Sequence, residues 1–173
     1  MRKERKQSRL HVKDREDASK ILTAYSLKCQ EASYRDAAAL YGELAESVLM
    51  AGGKVTGVEP QFFMDMGFEY PEITQLIVTQ DMSERKAKMV ELGDAFIAFP
   101  GGTGTLEEIS EIMSKIVLGH LAAPCIVYNL NGYYDDLRRL LDHMVEMELA
   151  SEESLLGVTF AGNLGEIVEI LEA

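Results

Sequence analysis

At 173 residues, with 47% hydrophobic and 27% charged residues, the chain has the length and composition of one globular domain with a buried core and is short for two. No apolar run approaches the roughly 18 residues that a membrane span needs, and the basic start Met1–Gln7 is not followed by the apolar stretch of a secretory leader. The net charge of −12 argues against a general nucleic-acid binder, which needs lysine and arginine against phosphate backbones.

The charge is unevenly spread. Residues 1–36 hold ten Lys/Arg against six Asp/Glu, which leaves seven against twenty-three in the rest. Residues 1–19 therefore read as a basic arm, either a solvated tail or a contact for RNA or an acidic partner. Residues 20–173 read as a single domain. Cys29 and Cys125 fit no metal or redox spacing and are expected to be inert thiols in a reducing cytoplasm.

From about Ala32 onward, helical and strand periods alternate in the way that builds a parallel sheet with helices on both faces, so the expected class is α/β. A helix is expected over Ser33 to Met50, with Leu40, Leu44, Val48 and Leu49 at helical spacing and Gly52-Gly53 closing it. A strand follows over Lys54–Val58, ended by Pro60. The segment with Phe62, Phe63, Met64, Met66 and Phe68 reads as a loop, packed on the core or forming the apolar wall of a ligand site. Ile73–Val78 is the next strand. The helix after it is expected to turn Met82, Met89 and Leu92 inward and carries Arg85 and Lys86.

The strand Ala95–Phe99 runs into Pro100-Gly101-Gly102-Thr103-Gly104-Thr105-Leu106-Glu107-Glu108. A helix from about Thr105 buries Ile109, Ile112, Met113, Ile116 and Val117. Glu107, Glu108 and Glu111 fall in its first two turns, where acidic side chains suit the helix dipole. Pro124–Asn129 is a buried strand, Asn131-Gly132 a turn, and Tyr134–Glu148 an amphipathic helix. Ser151–Ser154 is a polar connection, Val158–Phe160 a short strand, and Asn163 caps a terminal helix to Leu171.

The glycine-rich turn is the most informative feature. Glycines let the backbone approach an anion, and the first amides of the following helix point at it with the positive end of the dipole behind them. The turn carries no Gly-Lys-Ser/Thr triplet of a Walker loop and no Gly-x-Gly-x-x-Gly order of a dinucleotide fold. Arg85, 23 positions before Glu108, follows the carboxyl end of a neighbouring strand. In open α/β sheets ligands bind at those ends, so the two clusters are expected to share one crevice. Lys86 either adds charge there or is a surface lysine. His120 reads as a C-terminal helix cap, and three scattered histidines make no metal site.

Pro-Gly-Gly-x-Gly-Thr-x-x-Glu, preceded by Arg-Lys-x-x-Met, resembles the Lonely Guy family of nucleotide phosphoribohydrolases, which are often labelled lysine decarboxylases. The likeness runs from about Gly42 to the C-terminus through Gly42–Ala45, Ala51–Val58, Gly119-His120, Pro124 and Asn131–Tyr134. It implies a Rossmann-like three-layer fold, a homodimer, and cleavage of the N-glycosidic bond of a purine riboside 5′-monophosphate, often with an N6-substituted adenine. It implies no cofactor. The family's catalytic pair falls on Arg85 and Glu108, and phosphate binding on Gly101, Gly102, Thr103, Gly104 and Thr105. The chemistry fits: a carboxylate beside the anomeric carbon stabilises an oxocarbenium-like transition state and orients the attacking water. An arginine offers a charged fork of donors to phosphate or ribose. A non-catalytic nucleotide or cofactor carrier on the same fold is the alternative.

Two departures from the family stand out. Leu40-Tyr41 runs directly into Gly42–Ala45, although Lys20–Tyr25 and Ser33–Leu40 look like the family's first strand and first helix. The junction reads as though on the order of twenty residues, the length of one strand and one nucleotide loop, had been removed: either the sequence omits a segment there or the chain lacks one strand and half of the ligand's cradle. Ser114–Val117 stands where members commonly place a tryptophan, and this chain has none.

Overall fold

The computed structural model describes residues 37–66 and 73–172. The arm, the strand Lys20–Tyr25, the start of the first helix, Cys29 and Phe68 lie outside the described residues. The chain divides into two compact units, to which the described residues contribute 37–57 with 73–77, and 58–66 with 78–172.

In the first unit, helix α1 (Ala37–Met50) passes through Tyr41-Gly42 without interruption. Its exit is closed as the sequence implies: Gly52 takes φ +78°, and the Gly53 amide donates to the Val48 carbonyl at 2.9 Å. Strands β1 (Thr56–Pro60) and β2 (Gln75–Thr79), of which only Thr56-Gly57 and Gln75–Ile77 belong to this unit, form a two-stranded sheet. β1 starts two residues later than Lys54 and includes Pro60, so the proline terminates the strand from inside it rather than beyond it.

The second unit holds the core. The expected loop after Pro60 is a short helix, α2 (Gln61–Asp65), entered through an extended Pro60. Proline fixes φ near the helical value and removes a donor, which suits a helix start. Helix α3 (Met82–Leu92) is capped by Asp81, whose carboxylate accepts from the Glu84 amide at 2.8 Å. Strand β3 (Phe96–Ala98) then leads into helix α4 (Thr103–Val117). Strand β4 (Cys125–Tyr128), a 3₁₀ turn (Leu130–Gly132), helix α5 (Asp135–Glu146), short helix α6 (Glu152–Leu155), strand β5 (Val158–Ala161) and helix α7 (Leu164–Glu172) complete the chain order.

β3, β4 and β5 make a parallel sheet with β4 in the middle, in the register Ile97 to Ile126 and Ile126 to Thr159. All four β4 residues are buried, as the uninterrupted apolar run requires of a strand covered on both faces. Alternate residues supply two cores. Ala98, Cys125 and Val127 meet Ile109, Ile112 and Met113 of α4 and Tyr134, with Val90, Leu137 and Leu141 packed against them. On the opposite face Ile126, Tyr128 and Ala161 meet Ile167 of α7. The unit is therefore a three-layer α/β/α sandwich, and the α/β reading holds. Burial holds the Cys125 thiol up at about 11, which suits an inert sulfur.

Some inward residues differ from expectation. Met89 and Leu92 are exposed, and Val90 takes the core-facing place. The half-buried side of α3 holds Met82, as expected, with Lys86 and Val90 at i+4 and i+8, and Lys86 pairs there with glutamates on α4. Val117, at the last residue of α4, is exposed. That end is a Schellman closure: Gly119, at φ +69°, donates to Ile116 at 2.9 Å, and the His120 amide to Lys115 at 2.8 Å. His120 thus caps with its main chain. Ser151–Ser154, expected as a connection, is mostly helical because Ser151 caps α6 through the Ser154 amide. Asn163 caps α7 as its sequence position suggests, accepting from the Glu166 amide at 3.1 Å.

Candidate functional site

The site is built where β3 feeds α4. Helix α4 begins at Thr103, two residues earlier than the periodicity suggests, with Gly102 as an extended N-cap that has no side chain to fold back on the first amides. The amides of the first turn lie beyond the intrahelical ladder by geometry. A side chain at Gly102 or Gly104 would meet nothing within 4 Å, so both glycines border open space. Gly101 differs: a Cβ there would lie 2.2 Å from Thr105 Oγ1 and 2.9 Å from Thr105 Cβ. Thr105 is thus a packing partner of the turn, while Gly102, Thr103 and Gly104 form its exposed lip.

Glu108 follows Gly104 by four residues and Thr105 by three, so it rises from the same face of α4 one turn on. Its Oε1 is bonded to Nη1 of Arg85 on α3. The guanidinium is fixed from a second side, because Arg85 Nε donates to the Val58 carbonyl at 2.8 Å. The two predicted partners are therefore brought together, with the arginine side chain only 16% exposed and the glutamate 27%. A charged pair this far from bulk water has a stronger field than a surface pair.

A third carboxylate, which the sequence reasoning passed over, completes the cluster. Glu59 Oε2 lies 3.9 Å from Arg85 Nε. Burial pushes the Glu59 carboxyl up; Arg85 opposes the shift, Glu108 adds to it, and the net direction is upward. The signal available in sequence was its place just before Pro60 at a strand end, which is weak without knowing which helix lies alongside.

Lys86 sits beside this cluster but is committed elsewhere. Its Nζ is 2.6 Å from Glu107 Oε1 and 3.2 Å from Glu111 Oε2. Hydrogen bonds to Glu107 and Glu111 hold the ammonium above its usual range. Burial raises Glu111, but the hydrogen bonds and charges of Lys86 and Lys115 outweigh it and leave that carboxyl lowered. Glu107 and Glu111, expected to serve the helix dipole alone, thus also tie α4 to α3. The sequence places Lys86 next to Arg85 but does not show that neighbouring cations choose different glutamates.

Among the described residues, no group of three or more His, Cys, Asp or Glu is arranged to hold a metal ion, and no helix is long and apolar enough to cross a membrane.

A glycine-led helix start, an arginine bonded to a glutamate one turn further on, and the strand order that joins them are features a family comparison can test. Residues 41–171 match the family model described as possible lysine decarboxylase. The chain belongs to this family. Its match begins at the Tyr41-Gly42 junction, inside the unbroken α1. Curated relatives carry a different kind of name. The chain is 45% identical over 109 residues to a cytokinin riboside 5′-monophosphate phosphoribohydrolase of Rhodococcoides fascians, an alignment covering 60% of this chain and 53% of that protein. It is 37% identical over 134 residues to a cytokinin riboside 5′-monophosphate phosphoribohydrolase of Arabidopsis thaliana, covering 78% of this chain and 59% of the relative. The chain thus spans somewhat over half the length of these relatives of the family.

Proposed function

We propose that the protein hydrolyses the N-glycosidic bond of purine riboside 5′-monophosphates, releasing the free base and ribose 5-phosphate. The observation that carries this reading is the Arg85–Glu108 pair set one helical turn beyond an uncapped, glycine-led helix start. The names of the relatives point the same way.

The chemistry follows from the charges. As the C1′–N9 bond breaks, its electron pair leaves with the purine, and positive charge builds on C1′ and the ring oxygen. A carboxylate at Glu108 stabilises that charge and receives a proton from the water that adds to C1′. The departing base takes up a proton from solvent and leaves neutral, and Glu108 returns the proton it received to solvent. The 5′-phosphate is held by the amides at Gly102, Thr103 and Gly104, which the helix dipole favours. Arg85, anchored by the Val58 carbonyl, presents a rigid fork between the carboxylate and the substrate. In this reading Lys86 acts at one remove, by joining α3 to α4 through Glu107 and Glu111.

Decarboxylation of an amino acid through a Schiff base is disfavoured by the lysines present. Such a lysine needs an apolar or cationic setting that lowers its affinity for protons. Among the described residues, Lys86, Lys88 and Lys115 each pair with glutamate, Lys86 is shifted upward, and Lys54 is exposed. Incubating the protein with AMP and with N6-substituted AMP, and following free base chromatographically, tests the proposal. Base release is expected. Tight nucleotide binding without release would move the protein to the class of nucleotide carriers.

A further inference from the structure

The motif Asn131-Gly132-Tyr133-Tyr134 lies far from the reacting pair in sequence, yet its two tyrosines close on the glycine turn. Asn131 at φ 52° and Gly132 at φ 75° are consecutive left-handed residues that turn the chain sharply after β4. A side chain at Gly132 would meet Asp135 Oδ2 at 2.6 Å. Asn129 braces the turn, its Oδ1 accepting from the Tyr134 amide at 2.6 Å and its Nδ2 donating to Asp135 at 2.7 Å. The two rings pack edge to face at 4.8 Å between centroids. From this platform Tyr133 Oη donates to the Gly101 carbonyl at 2.5 Å, and Tyr134 Oη to the Phe99 carbonyl at 2.6 Å.

The two hydrogen bonds have different consequences. A trans peptide is planar, with its C=O and N–H pointing in opposite directions. Anchoring the Gly101 carbonyl therefore aims the Gly102 N–H away from Tyr133, and that amide donates to nothing among the described residues. Donation to the carbonyl also polarises the amide and strengthens the N–H as a donor. The Phe99 carbonyl belongs to a peptide whose nitrogen is Pro100 and carries no hydrogen, so Tyr134 aligns no donor.

We infer that Tyr133 is a positioning residue for the anion site: its hydroxyl fixes the Gly101–Gly102 peptide so that the Gly102 amide is presented to the phosphate of the substrate. The inference rests on the phosphate site of the proposed function. Gly101 and Gly102 are free to rotate their shared peptide in a way that bulkier residues are not, so a glycine turn without such an anchor loses entropy on each binding event. Tyr133 removes that loss in advance.

The test is titration calorimetry of inorganic phosphate, AMP and adenosine against the wild type, Tyr133→Phe and Tyr134→Phe. Tyr133→Phe is expected to weaken phosphate and AMP by about tenfold, the scale of one hydrogen bond to a charged group, and to leave adenosine within about twofold. Tyr134→Phe is expected to lower the unfolding midpoint while leaving phosphate within about twofold. Equal weakening of adenosine and AMP by Tyr133→Phe, or unchanged phosphate binding, overturns the inference. So does equal loss of phosphate in both variants, which would mean that the tyrosines only brace the fold. Base release by the wild type is read separately. Absent release with the expected binding differences sinks the hydrolase reading alone, whereas a wild type that binds neither phosphate nor AMP sinks both.

Discussion

Gly101 and Gly104 stand three residues apart in one turn and are glycine for different reasons. A Cβ at Gly101 collides with Thr105, so Gly101→Ala must displace the helix start; an unfolding free energy lower by about 1–3 kcal/mol in urea titration is expected, as for other overpacked sites. A Cβ at Gly104 meets nothing, and alanine is the better helix former by up to about 1 kcal/mol. Gly104→Ala is therefore expected to match or exceed wild-type stability while losing affinity for AMP, because the space it fills is the ligand's. A variant that is no less stable and binds AMP normally would show that the phosphate lies elsewhere. Glu59 offers a test by pH. Burial raises its carboxyl above the ordinary carboxylate value, so between the unfolded and folded values the folded state holds more protons than the unfolded one. Stability contributed by this group is thus lost as pH rises through the window between the unfolded and folded values. Glu59→Gln, which cannot ionise, should gain stability relative to wild type on going from pH 4 to pH 7; a relative loss would mean that the charge on Glu59 is needed to hold Arg85.

At the scale of elements, strands and helix stops were legible in the sequence wherever a local rule acts alone. The run Cys125–Tyr128 reads as a strand covered on both faces and is one, and Gly52 and Asn131-Gly132 mark turns that need positive φ. The facing of α3 was not legible. Of the apolar choices Met82, Met89 and Leu92 only Met82 is half-buried, while Val90 packs on the core and Arg85 and Lys86 pair with glutamates on α4. Periodicity weighs apolar area and does not see a partner that comes from twenty residues away. The short α2 was missed for a related reason: five residues are too few to show a period, and the start is set by Pro60. The pairing of Arg85 with Glu108 and the glycine-led start of α4 were readable from motif and spacing. The approach of Glu59 to Arg85 and the Tyr133 bond to Gly101 were not, since each is made through an element whose neighbours only the fold reveals. The central strand also makes a stability prediction. Ile126 is fully buried in the core against α7, so Ile126→Ala should cost roughly 2–5 kcal/mol in chemical denaturation; a loss well under 1 kcal/mol would mean that this face of the sheet is not packed as described.

For the molecule as a whole, the acidic body, the family match over residues 41–171 and the reach of α1 through the Tyr41-Gly42 junction frame the proposed function. The departures from the family pattern lie on the amino-terminal side of that junction and in the tryptophan-free α4, whereas the glycine turn, Arg85 and Glu108 lie within the three-layer unit. The account therefore stands or falls on whether this unit's pair of charges breaks a glycosidic bond. The direct measurement is free adenine released from AMP by the wild type and by Glu108→Ala, with urea denaturation showing that the variant is folded. Removing a charge-stabilising group from a reaction of this kind typically costs on the order of 10²–10³ in rate. The expected result is wild-type release and a loss of at least that size in Glu108→Ala; release that continues undiminished in the folded variant would contradict the account.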